Sequence, residues 1–159
     1  MNEPAKKGLP RIHLIVSAGT LPSVGKNRMD LLRYRESGIA RLTGEQLLEP
    51  LPEVAAIARV TVEAGPPPDN TSYDALRELS MRIGESLRAP DVDGVVYVQG
   101  TNTIEETAYF YNLTVRSEKP VVVTGAQRPY NGLSTDGPIN LLDAIRVACS
   151  PDTRGKGAR

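Results

Sequence analysis

Gly94-Val95-Val96-Tyr97-Val98 runs directly into Gln99-Gly100-Thr101-Asn102-Thr103-Ile104-Glu105-Glu106, and this junction sets the fold class. The first run is β-branched and aromatic with no polar alternation, the pattern of a strand covered on both faces. The second is a glycine turn that opens into a helix at Thr103, whose hydroxyl is expected to cap the first turn while Glu106 reaches back; Ala108, Tyr109, Leu113 and Val115 follow at helical spacing. A buried strand that hands the chain to a helix is the repeating unit of a parallel sheet, because parallel neighbours need a crossover connection.

Working outward, residues 12–16, 58–62 and 120–124 are three more short apolar runs. Between them, 72–87 places Leu76, Leu79, Ile83 and Leu87 three and four apart, and Thr71 with Asp74 resembles a capping box ahead of it. A third helix opens at Pro138, a favoured first helical position, and carries Leu141, Leu142, Ile145 and Val147. The alternation specifies an α/β fold: a doubly wound, mostly parallel sheet with helices on both faces, in one domain over 1–159. Residues 31–52 form a long excursion with a short helix near 43–48, and a loop of that length in a compact domain is usually functional. The tail, 150–159, is polar, and no strand is expected after the third helix, so the chain reads as one that stops early.

Composition narrows the function. The 159 residues hold 19 Lys and Arg against 19 Asp and Glu, a formal net charge of zero, which argues against nucleic acid as the main partner. One cysteine, Cys149, and one histidine, His13, exclude an internal disulfide and a Cys/His zinc cage, and no cofactor or metal is implied. His13 lies inside an apolar run and reads as a packed strand residue, not a catalytic one. No apolar stretch approaches the roughly 18 residues of a membrane helix, and the first residues make a poor signal peptide, so a cytoplasmic protein is expected.

Ligands of open α/β sheets bind beyond the carboxyl ends of the strands. Three loops should meet there: Ser17-Ala18-Gly19-Thr20-Leu21-Pro22-Ser23, the Gln99 loop, and Gly125-Ala126-Gln127-Arg128-Pro129. Thr20 and Thr101 are the hydroxyls that no capping role claims. A threonine attacks a carbonyl carbon only if a partner removes its proton; with histidine excluded, that partner is a tyrosine, a lysine or a carboxylate.

The same residues carry a resemblance. Gln99 through Tyr109 resembles the second signature of the bacterial-type L-asparaginase/glutaminase family, and Ser17-Ala18-Gly19-Thr20-Leu21 resembles its first. Lys119 through Pro129 and Ser134-Thr135-Asp136-Gly137-Pro138-Ile139-Asn140-Leu141 are similar to its core, so the likeness extends to about Ala148. The resemblance implies an amidohydrolase that releases ammonia from asparagine or a related small ω-amide, with Thr20 matching the nucleophile, Tyr34 the tyrosine that polarises it and Thr101 the second catalytic threonine. Gly100 and Gly65 fall where the substrate is held.

The departures are equally specific. Asn102 stands where the family has an aspartate, and it carries no charge to pair with a lysine or an α-ammonium group. Pro66-Pro67-Pro68 occupies the loop that usually holds the substrate carboxylate, and prolines remove N–H donors. The catalytic lysine of the family and its smaller C-terminal domain, which completes the site in a homo-oligomer, would lie beyond Arg159, so the isolated chain is expected to lack full activity. Asn102 and the prolines also keep open a non-catalytic binding module for a small amino acid. An amidotransferase component is a further alternative, although no basic tRNA-facing patch supports it.

Overall fold

A computed structural model describes residues 8–65, 68 and 72–158. Four strands, β1 (Arg11–Val16), β2 (Arg59–Val62), β3 (Gly94–Val98) and β4 (Val121–Thr124), form one parallel sheet in the order β2-β1-β3-β4. Each expected strand is present to within a residue. β3 is buried throughout because it is central and covered on both sides, whereas β2 alternates between exposed and half-buried residues, as an edge strand does.

Helices cover both faces. On one face, α1 (Gly44–Leu48), α2 (Val54–Ile57) and α5 (Gly137–Cys149) bury Leu47, Val54, Leu141 and Ile145 against Ile12, Leu14, Val96 and Val98. On the other, α3 (Tyr73–Arg88) and α4 (Ile104–Thr114) bury Leu79, Ile83, Leu87 and Tyr111 against Ile15, Val95 and Tyr97. Each such aliphatic side chain contributes about 1.5–3 kcal/mol on burial. Tyr97 and Tyr111 meet edge to face with centroids 5.7 Å apart, and burial pushes the Tyr111 phenol well above its ordinary range.

The termini of these elements correct two expectations. Ser72 caps α3, its hydroxyl accepting from the Ala75 N–H at 3.1 Å, while Thr71 lies outside the described residues. The Thr103–Glu106 box is not formed. A 3₁₀ turn, Thr101–Thr103, precedes α4 and leaves Thr103 at φ −134°, ψ 25°, away from the extended backbone that brings an N-cap hydroxyl under the first turn. As expected, no strand follows α5 among the described residues, although the chain touches the sheet once more. A 3₁₀ turn at Pro151–Thr153 and two glycines in the left-handed region, Gly155 and Gly157, bring Ala158 into a parallel bridge with Val121 on the outer edge of β4.

The short helix of the long excursion is α1. Thr43 caps it in a capping box, accepting from the Gln46 N–H while the Gln46 side chain accepts from the Thr43 N–H. His13 packs in β1 with Nδ1 against Ser86 Oγ of α3, and burial lowers its pKa against the opposing pull of Glu63.

Candidate functional site

The register makes the site. Val16, Val98 and Thr124 are aligned across β1, β3 and β4, so the loops that follow leave the sheet in one row. The order β2-β1-β3-β4 reverses between β1 and β3, and the crevice outside their carboxyl ends is where such sheets take ligands. Pairing continues one step past the strands through Ser17 N–H to Val98 C=O and Gln99 N–H to Thr124 C=O, both 2.9 Å.

Two glycines then let the loops touch. A Cβ on Gly19 would lie 2.6 Å from the Gly100 nitrogen, and one on Gly125 would lie 2.7 Å from the Gln99 carbonyl oxygen. The Gln99 peptide is held between them, which is the physical reason that the first and third loops carry glycine at these positions.

Thr20 is buried, and its Oγ1 lies 2.8 Å from Tyr34 Oη. Tyr34 begins a 3₁₀ turn, Tyr34–Glu36, far from the sheet in sequence. The excursion brings it back: Leu42 N–H donates to Pro22 C=O at 2.8 Å, closing a compact loop, and Ser37 Oγ donates to Val24 C=O at 2.7 Å. Asn131 then staples this loop to the segment after β4 by exchanging two 2.8 Å hydrogen bonds with the Gly25 backbone.

Thr101 is half-buried, its methyl lying 3.1 Å from where a Gly125 Cβ would be, and its hydroxyl has no hydrogen-bond partner among the described residues. Asn102 is exposed and lines a cleft of about 400 Å³ together with Ala18, Gly19, Gly100, Thr103 and two arginines, Arg35 and Arg41. Gly65 lies elsewhere, in a cavity of about 270 Å³ that shares Arg41 with the cleft. A larger cleft, about 460 Å³, sits at the opposite edge of the sheet around Arg11, Arg59, Asp93 and Arg154, away from the loops. Among the described residues, no group of three or more His, Cys, Asp or Glu side chains is placed to hold a metal ion.

Sequence reasoning missed four residues of this region. Arg35 and Arg41 carry no local signal, because an exposed arginine in a loop reads as solvated. Asp136 and Asn140 stand one turn apart at the start of α5, and that spacing was the available clue. The Asp136 carboxylate accepts from the Gln127 N–H at 2.9 Å and the Arg128 N–H at 3.0 Å, and Asn140 Nδ2 donates to Asp136 and to the Gly125 carbonyl. Burial alone would raise the Asp136 pKa, yet the donated N–H groups outweigh it and hold it below the usual range.

Comparison with known proteins agrees with the fold. The family described as "Asparaginase, N-terminal" matches residues 11–159. L-asparaginase 2 of Bacillus subtilis (strain 168) is 42% identical over 154 residues, covering 96% of this chain and 40% of that protein. A glutaminase-asparaginase of Pseudomonas fluorescens biotype A is 36% identical over 154 residues, covering 96% and 42%. The crystal structure of a probable cytoplasmic L-asparaginase from Campylobacter jejuni superposes with a TM-score of 0.81 at 33% identity, over 94% of this chain and 45% of that one. The chain thus spans less than half the length of these relatives. With the glycine-packed loops, the parallel sheet and a family match over nearly all of its length, the chain belongs to the asparaginase N-terminal family.

Proposed function

We propose that this chain carries the nucleophile of an amidohydrolase that converts the side-chain amide of asparagine, or of a related small ω-amide, to the acid and ammonia. The observation that carries the reading is the 2.8 Å hydrogen bond between Thr20 Oγ1 and Tyr34 Oη at the β1–β3 crevice. Thr20 Oγ1 bonds to the amide carbon. Its proton passes to Tyr34 Oη as the tyrosine proton moves to the leaving nitrogen, the C–N bond breaks and ammonia departs. Water then cleaves the threonine ester, giving the acid and restoring the hydroxyl. Thr101 serves that second step, Gly100 and Asn102 hold the substrate in the cleft, and Gly65 borders the cavity that shares Arg41.

The activity is proposed for the protein in its homo-oligomeric, cytoplasmic form, with a small molecule and neither nucleic acid nor membrane as partner. Zero formal net charge supports the exclusion of nucleic acid. Ammonia release from asparagine and glutamine tests the reading: Thr20→Ala should abolish it and Thr20→Ser retain part of it. A second reading, a binding module without turnover, is favoured by the partnerless Thr101 hydroxyl and the uncharged Asn102. It wins if the intact protein gains thermal stability from the amide yet releases no ammonia.

A further inference from the structure

We infer that Asn140 is a positioning residue: by holding Gly125 from α5 it fixes the rotamer of Thr101, and so sets the rate at which the threonine ester is hydrolysed. The kinetic consequence rests on the amidohydrolase reading, whereas the placement of Thr101 stands on the packing alone.

Asn140 uses its amide nitrogen twice, donating to the Gly125 carbonyl at 2.9 Å and to Asp136 Oδ2 at 3.0 Å. Asp136 extends the grip along the loop by accepting from the Gln127 and Arg128 N–H groups. An aspartate at a helix N-cap ordinarily accepts from the first turn of its own helix, a contact worth about 1 kcal/mol. Asp136 occupies the N-cap of α5 and makes no such bond. The helix forgoes its cap, and both polar side chains hold residues 125–128 instead. Helix stability does not account for that arrangement; fixing the loop does.

What the loop touches is Thr101. Gly125 is buried, and a Cβ there would stand 2.7 Å from the Gln99 carbonyl oxygen and 3.1 Å from Thr101 Cγ2, so the threonine methyl faces a bare Cα. A β-branched side chain has few staggered positions, and a wall against its methyl selects among them. The direction of the hydroxyl follows, because Oγ1 and Cγ2 share one carbon. Asn140 holds the carbonyl of the glycine that forms this wall. Without the amide, the loop is released from α5 at Gly125, and Thr101 regains its other rotamers.

Thr101 is proposed for the second step, after ammonia has left. In a reaction of that form kcat/KM reports formation of the ester, whereas kcat and KM fall together when its hydrolysis slows. Damage that merely inactivates a fraction of the molecules lowers kcat and leaves KM unchanged.

The test compares the intact protein with Asn140→Ala. Asn140→Ser, a milder change whose hydroxyl has one hydrogen for two acceptors, carries the test if the alanine variant does not fold. Ile145→Val, a core truncation in the same helix, controls for lost stability. Methyl NMR of threonine-labelled protein reads the Thr101 rotamer without turnover; ammonia release from asparagine and the mass of the protein during turnover read the chemistry. We expect one Thr101 rotamer in the unaltered protein and in Ile145→Val, and averaging among rotamers when Asn140 is replaced. In the same variants kcat should fall about 10- to 100-fold with KM falling in step, and ammonia should appear in a burst of one equivalent while the acylated protein accumulates. A Thr101 methyl indifferent to the Asn140 substitutions, or a loss of kcat at constant KM, overturns the inference and leaves the amidohydrolase reading intact. A methyl that responds as expected in a protein that releases no ammonia, altered or not, upholds the placement of Thr101 by Asn140 and sinks the amidohydrolase reading instead.

Discussion

Gly19 lies against Gly100 so closely that a methyl group on the first would overlap the backbone nitrogen of the second at 2.6 Å. The loop carrying Thr20 and the loop carrying Thr101 are therefore packed backbone to backbone, and their relative position does not depend on side-chain rotamers. Gly125 does the same from the other side of Gln99. A reaction that needs groups from separate strands benefits from such a rigid junction, since small displacements of reacting atoms are costly.

Gly19→Ala and Gly125→Ala should each destabilise the fold by about 1–3 kcal/mol, the usual cost of overpacking, because the obstructing atoms are backbone. Gly84, inside α3, is the control: a Cβ there meets nothing within 4 Å, so Gly84→Ala should stabilise by about 0.5–1 kcal/mol through helix propensity. Thermal melts of the three variants would check the contrast; equal effects would contradict it.

Tyr34→Phe deletes the hydrogen-bond partner of the buried Thr20 hydroxyl while preserving the ring under Arg35. The expected result is a loss of about 10²-fold or more in kcat for ammonia release, with KM changed far less and a stability loss of about 1 kcal/mol. A variant with unaltered kcat would remove Tyr34 from the chemistry.

Asp136→Asn should cost about 1–2 kcal/mol at neutral pH, since it weakens the acceptor for the Gln127 and Arg128 N–H groups. The native pKa of Asp136 lies below its unfolded value, so its contribution is present above about pH 4 and is lost as the pH falls through the native pKa. Denaturant titrations of the two proteins should converge at low pH; a gap constant down to pH 2 would exclude this role.

His13 gives a second pH signature, of the opposite charge type. Desolvation lowers its native pKa, so below about pH 6.5 the unfolded state takes up a proton that the native state resists. Stability should be level above that pH and decline as the pH falls below about 6.5, and the single histidine makes that slope attributable. His13→Gln should flatten it. A slope unchanged by the substitution would locate the titrating group elsewhere.

The parts of the fold that were legible in the sequence are those set by local burial and periodicity. Residues 94–98 form β3 as read, because an unbroken apolar run between turn residues has few other uses. The helix read over 72–87 differs from α3 by one residue at each end, since Leu79, Ile83 and Leu87 all have to face one side. The capping expectation at Thr103 failed for an equally local reason: a 3₁₀ turn rotated that backbone out of the capping conformation, and nothing in Thr-x-x-Glu forbids it.

The return of Ala158 to Val121 has no short-range pattern at all, because its partner is the edge of a distant strand. The site divides along the same line. Hydrophobic pattern places Thr20 and Thr101 just past the carboxyl ends of their strands, and the sequence alone determined that much, because the identity of a strand end follows from where its apolar run stops. The bond between Thr20 and Tyr34, the grip of Asp136 on the loop after β4, and the presence of Arg35 and Arg41 beside Asn102 were decided only by the tertiary structure. They depend on how a long irregular segment closes back on itself, and that closure is set by backbone hydrogen bonds between residues that no periodicity connects.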